Sequence, residues 1–449
     1  MSVTRRRFLE RSIRSGVGVA VGAYGLGAAA KAAPPSDKVV VGVMGVGGRG
    51  TFLTGLFASR PDVEIAYVCD VDQRKLPQAV KVVEAKQGKT PKTTGNFQRI
   101  LEDKSVDALL CATPDHWHAL ATVLACQAGK DIYVEKPATH CIWEGRKMIE
   151  AARKYNRVVQ VGMQNRSSTY GESAKEQIQS GKIGSVHLAR VYNMLNRNAV
   201  EAVPDSAPPA GFDWDMWVGP GPLRPYNPKY FQRVFWDFNG GLMTDDGVHQ
   251  VDLARRVLNI TYPKTAHHTG GKLFFHDLAE TPDTTIATYE YDGLTLVFEE
   301  TVWTPYMRKT PENIRESLTQ FPDWYPFNAT RIEIYGSKGM MILGRQGGGW
   351  QLFDEGGNKI ATDKQRHSEM QAAHIGNFIE CIRNRQRPNG DIEHGHISAA
   401  LCHMANISYR LGNRKLLWDG AREAFRDDAE ANHLLKRSYR SPWVVPESV

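Results

Sequence analysis

Gly45-Val46-Gly47-Gly48-Arg49-Gly50 follows directly on an apolar, β-prone run, Lys38 to Met44, and leads into a helix-like segment, Thr51 to Ser59. Three glycines spaced G-x-G-x-x-G between a strand and a helix have separate uses. The first permits a tight turn, the second lets backbone approach a pyrophosphate, and the third lets the helix pack close, while the helix amino terminus favours negative charge. Alone the motif is weak. Glu64 to Cys69 then reads as a second strand ending in Asp70, placed where an acceptor for the adenosine ribose hydroxyls is expected. Strand, glycines, helix, strand and acid fall in register. They predict a dinucleotide-binding domain with a parallel sheet over residues 37–162, with Gly45, Gly47, Gly48, Arg49, Gly50 and Asp70 against the cofactor. Asp70 favours NAD by repelling a 2′-phosphate, and the nearby Arg74 and Lys75 leave NADP open.

A third strand, Ala108 to Ala112, ends in Thr113-Pro114-Asp115-His116-Trp117-His118. A helix to Ala128 leads to Asp131-Ile132-Tyr133-Val134-Glu135-Lys136-Pro137, whose apolar centre reads as a strand buried in the same sheet. In open α/β sheets ligands bind beyond the carboxyl ends of strands. Thr113, Pro114, His116, His118, Glu135 and Lys136 are therefore expected at the cofactor edge. His116 and His118 lack a carboxylate or cysteine at ligand spacing, so no metal is expected. Val158 to Val161 adds a strand, and Gln164 and Arg166 stand at the domain exit.

Residues 163–418 change character. A Pro/Gly-rich, aromatic stretch from about Asn193 to Asn239 holds Asn196, Arg197, Trp214, Trp217 and Trp236; aromatic faces beside amides and guanidinium suit sugar rings, and packing of a long loop is the equal alternative. Gly240-Gly241 precedes Asp245, His249 and Asp252. At helical spacing Asp245 and His249 share a face, a carboxylate beside an imidazole, which makes a candidate proton-transfer pair. Strand patterns from Lys272 to Phe353 predict a largely antiparallel open sheet, so the fold class is α/β followed by α+β. Residues 419–449 form a charged tail.

The amino terminus carries Thr4-Arg5-Arg6-Arg7-Phe8-Leu9, a mild Gly/Ala-rich apolar segment and a small-residue site at Ala30-Lys31-Ala32. Residues 1–32 thus look like a twin-arginine signal peptide, which implies the twin-arginine export machinery as a partner and a periplasmic or otherwise exported location. That segment holds six cations and one acid, +5 of the formal +7, so the remainder is nearly neutral and nucleic-acid binding is not expected. Cys69, Cys111, Cys126 and Cys141 fall in predicted strands and helices, as buried free thiols would.

Taken together, Gly45, Gly47 and Gly50, Ala112 to His116, Glu135-Lys136-Pro137, and Gly240-Gly241 with Asp245 and His249 resemble the Gfo/Idh/MocA family of oxidoreductases. The resemblance covers Lys38 to Trp418. It implies that Lys136 contacts nicotinamide ribose and substrate, that His249 is the general acid/base, and that Asp245 binds substrate and orients the histidine. Gln164, Arg166 and Trp236 join Asp245 and His249 as substrate-facing residues. A sheet domain that makes homo-oligomer contacts is also implied.

The expected reaction is hydride transfer between a secondary alcohol of a sugar or polyol and nicotinamide. An imidazole near its ordinary pKa suits the proton, and a lysine ammonium suits polarising the oxygen. Free dinucleotide is scarce outside the cytoplasm, so the cofactor is expected to travel bound and to cycle in place. A redox-neutral glycosidase, cleaving a glycoside by transient oxidation and elimination, is the enzymatic alternative. A non-catalytic sugar-binding protein with a structural nucleotide is the alternative from another class.

Overall fold

The structure, a computed structural model, describes residues 38–324 and 328–449; the leader-like segment lies outside the described residues. Strands β1 (Val39–Met44), β2 (Val63–Cys69), β3 (Lys92–Thr94), β4 (Ala108–Cys111), β5 (Asp131–Val134) and β6 (Val159–Val161) form a parallel sheet. Its order is β3-β2-β1-β4-β5-β6, so the topology reverses between β1 and β4 and opens a crevice at their carboxyl ends. Helices α1 (Gly48–Ala58), α2 (Leu76–Gln87), α3 (His118–Gln127) and α4 (Ile142–Lys154) make the crossovers. The central strands are short continuous apolar runs because both faces are covered: all of β4 and β5 is buried. β3 escapes a sequence reading because Lys-Thr-Thr is a short, polar edge strand.

The second sheet runs β14-β13-β12-β11-β7-β10-β9-β8-β15-β16. Its strands are β7 (Val186–Met194), β8 (Thr265–Gly271), β9 (Thr284–Tyr291), β10 (Leu294–Thr301), β11 (Arg331–Gly336), β12 (Gly339–Gly344), β13 (Gly349–Asp354), β14 (Lys359–Asp363), β15 (Leu416–Asp419) and β16 (Ala424–Phe425). Every neighbouring pair is antiparallel except β7 with β10. Helices α5 (Thr169–Gln179), α6 (Val248–Leu258) and α8 (Ile392–Arg410) pack against it. The α/β plus largely antiparallel architecture expected from the sequence is the one observed.

Two features tie the halves together. Helix α7 (His367–Asn384) places Ile375, Phe378, Ile379 and Ile382 on one face, and these bury against β1, β2 and α1 of the parallel sheet. The carboxyl-terminal tail also returns to the first sheet's side, with Arg437 paired to Glu144 at 2.8 Å and the Trp443 ring 5.2 Å from that of Trp117. All six cysteines are buried and free. Among the described residues no helix is long and apolar enough to cross a membrane.

Candidate active site

The glycine loop has the form a pyrophosphate requires. Gly45 sits at φ +87°, and a Cβ on Gly50 would lie 1.8 Å from the Gly45 carbonyl oxygen, so neither tolerates a side chain. A Cβ on Gly47 or Gly48 would meet nothing within 4 Å; that open side is where a ligand can reach backbone N–H groups at the uncapped start of α1. The Asp70 carboxylate accepts from Val46 N (2.8 Å) and Asp72 N (2.9 Å), fixing the loop against the end of β2. Burial pushes its pKa up. Arg74 is held by Asp72 (2.7 Å), and Lys75 lines the cleft. These residues fit a dinucleotide's phosphates and adenosine ribose.

The cleft is about 200 Å³ and is bounded by Gly45, Gly47, Gly48, Thr113 and Pro114 on one side and Trp217, Tyr230 and Phe231 on the other. Small-molecule sites usually offer roughly 300–1,000 Å³, so the aromatic side leaves the cleft narrow for a whole dinucleotide. That side is a lobe with its own core of Val200, Phe212, Trp214, Trp217, Val234, Phe235 and Phe238. It is fastened to the end of β2 by Asp213 N to Val71 O and Gln73 N to Gly211 O, both 2.9 Å.

Beyond the cleft, Lys136 emerges at the end of β5, through a cis Lys136–Pro137 bond, and meets Asp245. Its Nζ donates to Asp245 Oδ1 (2.7 Å) and to the Asp245 carbonyl (2.5 Å). Asp245 belongs to a π-helical turn, Met243–Gly247, that feeds α6. Such turns recur at functional sites because they displace one side chain from the helical register. Arg233, from the lobe, donates to the same carboxylate. Burial opposes the charge on Asp245, but Lys136 and Arg233 outweigh it and bring the carboxyl down to about 2. Asp245 lines a second cavity of about 450 Å³ with Asn196, Arg197, Asp246 and Lys309, and its partner Arg233 lines the dinucleotide cleft, so this ion pair links the two spaces. Asp246 is held in turn by Arg345 (2.8 Å) and Lys309 (3.1 Å).

His249 is one turn beyond, 6% exposed, with Nδ1 lacking any hydrogen-bond partner. Burial first, then the charges of Lys136, Arg345 and Arg49, hold its pKa well below 6.5, while Asp245 pulls the other way. The imidazole is neutral and sits within the field of the lysine. Asp245 makes no hydrogen bond to it, so the expected orienting role of Asp245 is corrected: its carboxylate is committed to Lys136 and Arg233.

Other expected contacts are also placed elsewhere. Arg166 is buried against Asp252 (Nε to Oδ1, 2.7 Å), which also takes a bond from Ser398 (2.7 Å); both charges are internal struts, so Arg166 does not face a substrate. Gln164 is buried and bonds Tyr133 Oη at 3.3 Å. Trp236 lines a different cavity, its Nε1 donating to Glu280 O at 3.1 Å. His116 is fully buried between the Trp217 and Phe238 rings with its nitrogens on the carbonyls of Trp217 (2.8 Å) and Phe238 (3.3 Å). His118 joins the Pro137 and Thr113 carbonyls at 2.7 and 3.0 Å, clipping the ends of β4 and β5 together. Both histidines thus support the cofactor edge without facing it. Glu135 takes Arg49 Nε at 2.9 Å, pinning that arginine beside the glycine loop. Trp214 and Trp217 stack in the lobe core.

Sequence reasoning missed Arg233, Asp246, Arg345, Lys309 and Asp115. The Asp115 carboxyl lines the dinucleotide cleft with Oδ2 unpartnered, and burial pushes it up to about 7 despite Arg233 and Lys136. An acid inside Thr113-Pro114-Asp115-His116 was the available signal.

Residues 39–163 match the NAD-binding Rossmann-fold model of the Gfo/Idh/MocA oxidoreductase family, and residues 192–265 and 340–445 match that family's carboxyl-terminal α/β domain. Among curated relatives, the scyllo-inositol 2-dehydrogenase (NAD(+)) of Bacillus subtilis is 24% identical over 360 residues, 78% of this chain and 88% of that protein. A glycosyl hydrolase family 109 protein of Saccharopolyspora erythraea is 30% identical over 172 residues, 34% of this chain and 38% of that one. A levoglucosan dehydrogenase, solved with NADH and levoglucosan, superposes with a TM-score of 0.62 at 16% identity, covering 84% of this chain and 98% of the other.

Proposed function

The chain belongs to the Gfo/Idh/MocA oxidoreductase family with an NAD-binding Rossmann domain, and from that premise we propose that it oxidises or reduces a secondary alcohol of a sugar or polyol. The observation that carries this reading is the meeting of Lys136 with Asp245, 109 residues apart, where Asp245 also holds Arg233 from the wall of the glycine-loop cleft and both lie in the field of a buried neutral imidazole.

Bound nicotinamide would supply the hydride acceptor or donor. Gly47, Gly48 and the start of α1 would hold the phosphates, and Asp70 the adenosine ribose. Lys136, fixed by Asp245, presents its ammonium to the substrate oxygen and makes the alcohol a stronger acid. His249 then takes that proton in the oxidation direction and returns it in reduction. The same ammonium weakens the imidazole as a base, and it acidifies the alcohol beside it, so the proton transfer between them stays balanced. Asp245 keeps the lysine aimed; Arg233 shares its charge.

Export through the twin-arginine pathway, a periplasmic location and a homo-oligomer belong to this proposal. A redox-neutral glycosidase is a second reading, favoured by the likeness of one third of the chain to the family 109 protein. Mass spectrometry of small molecules released from purified protein, followed by incubation with sugars and glycosides, separates the two. Accumulated keto-sugar supports dehydrogenation; free monosaccharide without net reduced cofactor supports cleavage; neither product, with NAD bound, would sink both.

A further inference from the structure

Two cations, Arg74 and Lys75, stand just beyond the end of β2, beside the place expected for the adenosine ribose. NAD carries a 2′-hydroxyl there and NADP a 2′-phosphate, and a nearby arginine is the usual means of accepting the phosphate. What these two side chains already hold therefore bears on which cofactor fits.

Arg74 is turned back on its own loop. Its Nε and Nη2 donate to Asp72 Oδ1 and Oδ2 at 2.7 and 2.8 Å, and its backbone N–H reaches Asp72 Oδ1 at 3.2 Å. The arginine side chain is exposed, where a single ion pair is worth little; a two-point fork on a fixed acid holds better. Asp72 is fixed: it is buried, its backbone bridges to Phe212 of the aromatic lobe, and Gln73 N donates to Gly211 O at 2.9 Å. Lys75 lies 3.9 Å from Asp72 and in the field of Asp70. Asp70 takes one backbone N–H on each oxygen, which leaves each a further acceptor position for ribose hydroxyls. Two acids and two cations thus balance. A 2′-hydroxyl is served by Asp70, whereas a 2′-phosphate would find both cations engaged and two carboxylates nearby.

We propose that Asp72 is a positioning residue that sets cofactor specificity: by holding Arg74 away from the adenosine ribose it makes the chain select NAD over NADP. Asp70 and Lys75 line the dinucleotide cleft and neither Asp72 nor Arg74 does, so Asp72 acts through the arginine. The inference rests on the NAD-binding domain and not on the proposed reaction.

The test is equilibrium exchange. The NAD-loaded full chain is incubated with mixtures of NAD and NADP, freed of unbound nucleotide and denatured, and the two released nucleotides are quantified by mass spectrometry. The parent should prefer NAD by at least about tenfold. Asp72→Asn keeps an oxygen for the Arg74 N–H but removes the charge, and it should cut that preference by about tenfold or more, the effect of one charge-assisted bond to phosphate. Arg74→Gln alone should leave the parent ratio in place, and added to Asp72→Asn it should take most of the gain back. A parent that takes both cofactors alike, or an Asp72→Asn ratio equal to the parent's, would overturn the proposal. So would a double variant as permissive as Asp72→Asn, which would mean that Asp72 acts by its own charge, or weaker NADP binding in Arg74→Gln alone, which would mean that the arginine already reaches the phosphate. Failure of turnover on every sugar would reject the proposed reaction and leave these ratios as they are.

Discussion

The dinucleotide cradle is built from backbone, whereas the reaction end of the same cleft is built from charge. In the cradle the important atoms are those that are missing: Gly50 can pack only because it has no Cβ, and Gly47 and Gly48 leave one side open. At the other end Asp245 is half-buried with two cations and Asp246 with two more. Backbone geometry of this kind fails abruptly, while a charge cluster can lose a member and re-partition. The two ends should therefore break differently.

The largest effect is expected from Gly50→Val. Its Cβ would enter the Gly45 carbonyl, a backbone group that cannot step aside, so NAD should no longer co-purify and overpacking should cost about 1–3 kcal/mol or more. Gly48→Ala is the control, since the same added atom meets only the ligand's space: chemical denaturation should match the parent while NAD affinity falls. If both variants behave alike, the cradle is not made as described.

At the charged end, His249→Ala should retain NAD and lower kcat by about 10²–10⁴. Full turnover by this variant would remove the acid/base assignment and leave the cradle untouched. Arg166→Met should behave as a stability variant, costing about 1.5–3 kcal/mol because buried Asp252 loses its shortest charge-assisted bond and keeps only Ser398 and the more distant Arg255, with KM unchanged in whatever fraction stays folded. A selective rise in KM at full stability would return Arg166 to the substrate.

The same contrast explains what could be read from the sequence. The cradle lies in one contiguous stretch, where apolar runs, glycine spacing and an acid at the next strand end are all local patterns. Lys136 was legible from its place at a strand end and Asp245 from its helical spacing to His249, but their meeting was not, since nothing local in either requires the other. Arg233, Arg345 and Lys309 left no pattern at all, because an ion pair between distant residues has no period. His116 and His118 misled for the opposite reason: their side chains carry chemistry, but their nitrogens face carbonyls. Strand β8, Thr-Ala-His-His-Thr-Gly-Gly, shows no apolar alternation and is held by its pairing with β9.

The subtlest expected effect lies in the pH profile. Folding holds His249 below its ordinary value of 6.5, by burial first and by Lys136 next. A group lowered in this way stays neutral as pH falls past 6.5, so its stability contribution is complete above that value and is lost between it and the lower folded value. The acid limb of kcat/KM for oxidation should accordingly lie below pH 6.5 in the parent. Lys136→Met removes the ammonium but not the burial or the guanidinium groups of Arg345 and Arg49, so the limb should move upward and stop short of 6.5. Asp245, left with Arg233 alone, should lose part of its depression as well. A limb that does not move would mean that lysine and imidazole do not share a field, and the reaction end would then need another pair of groups.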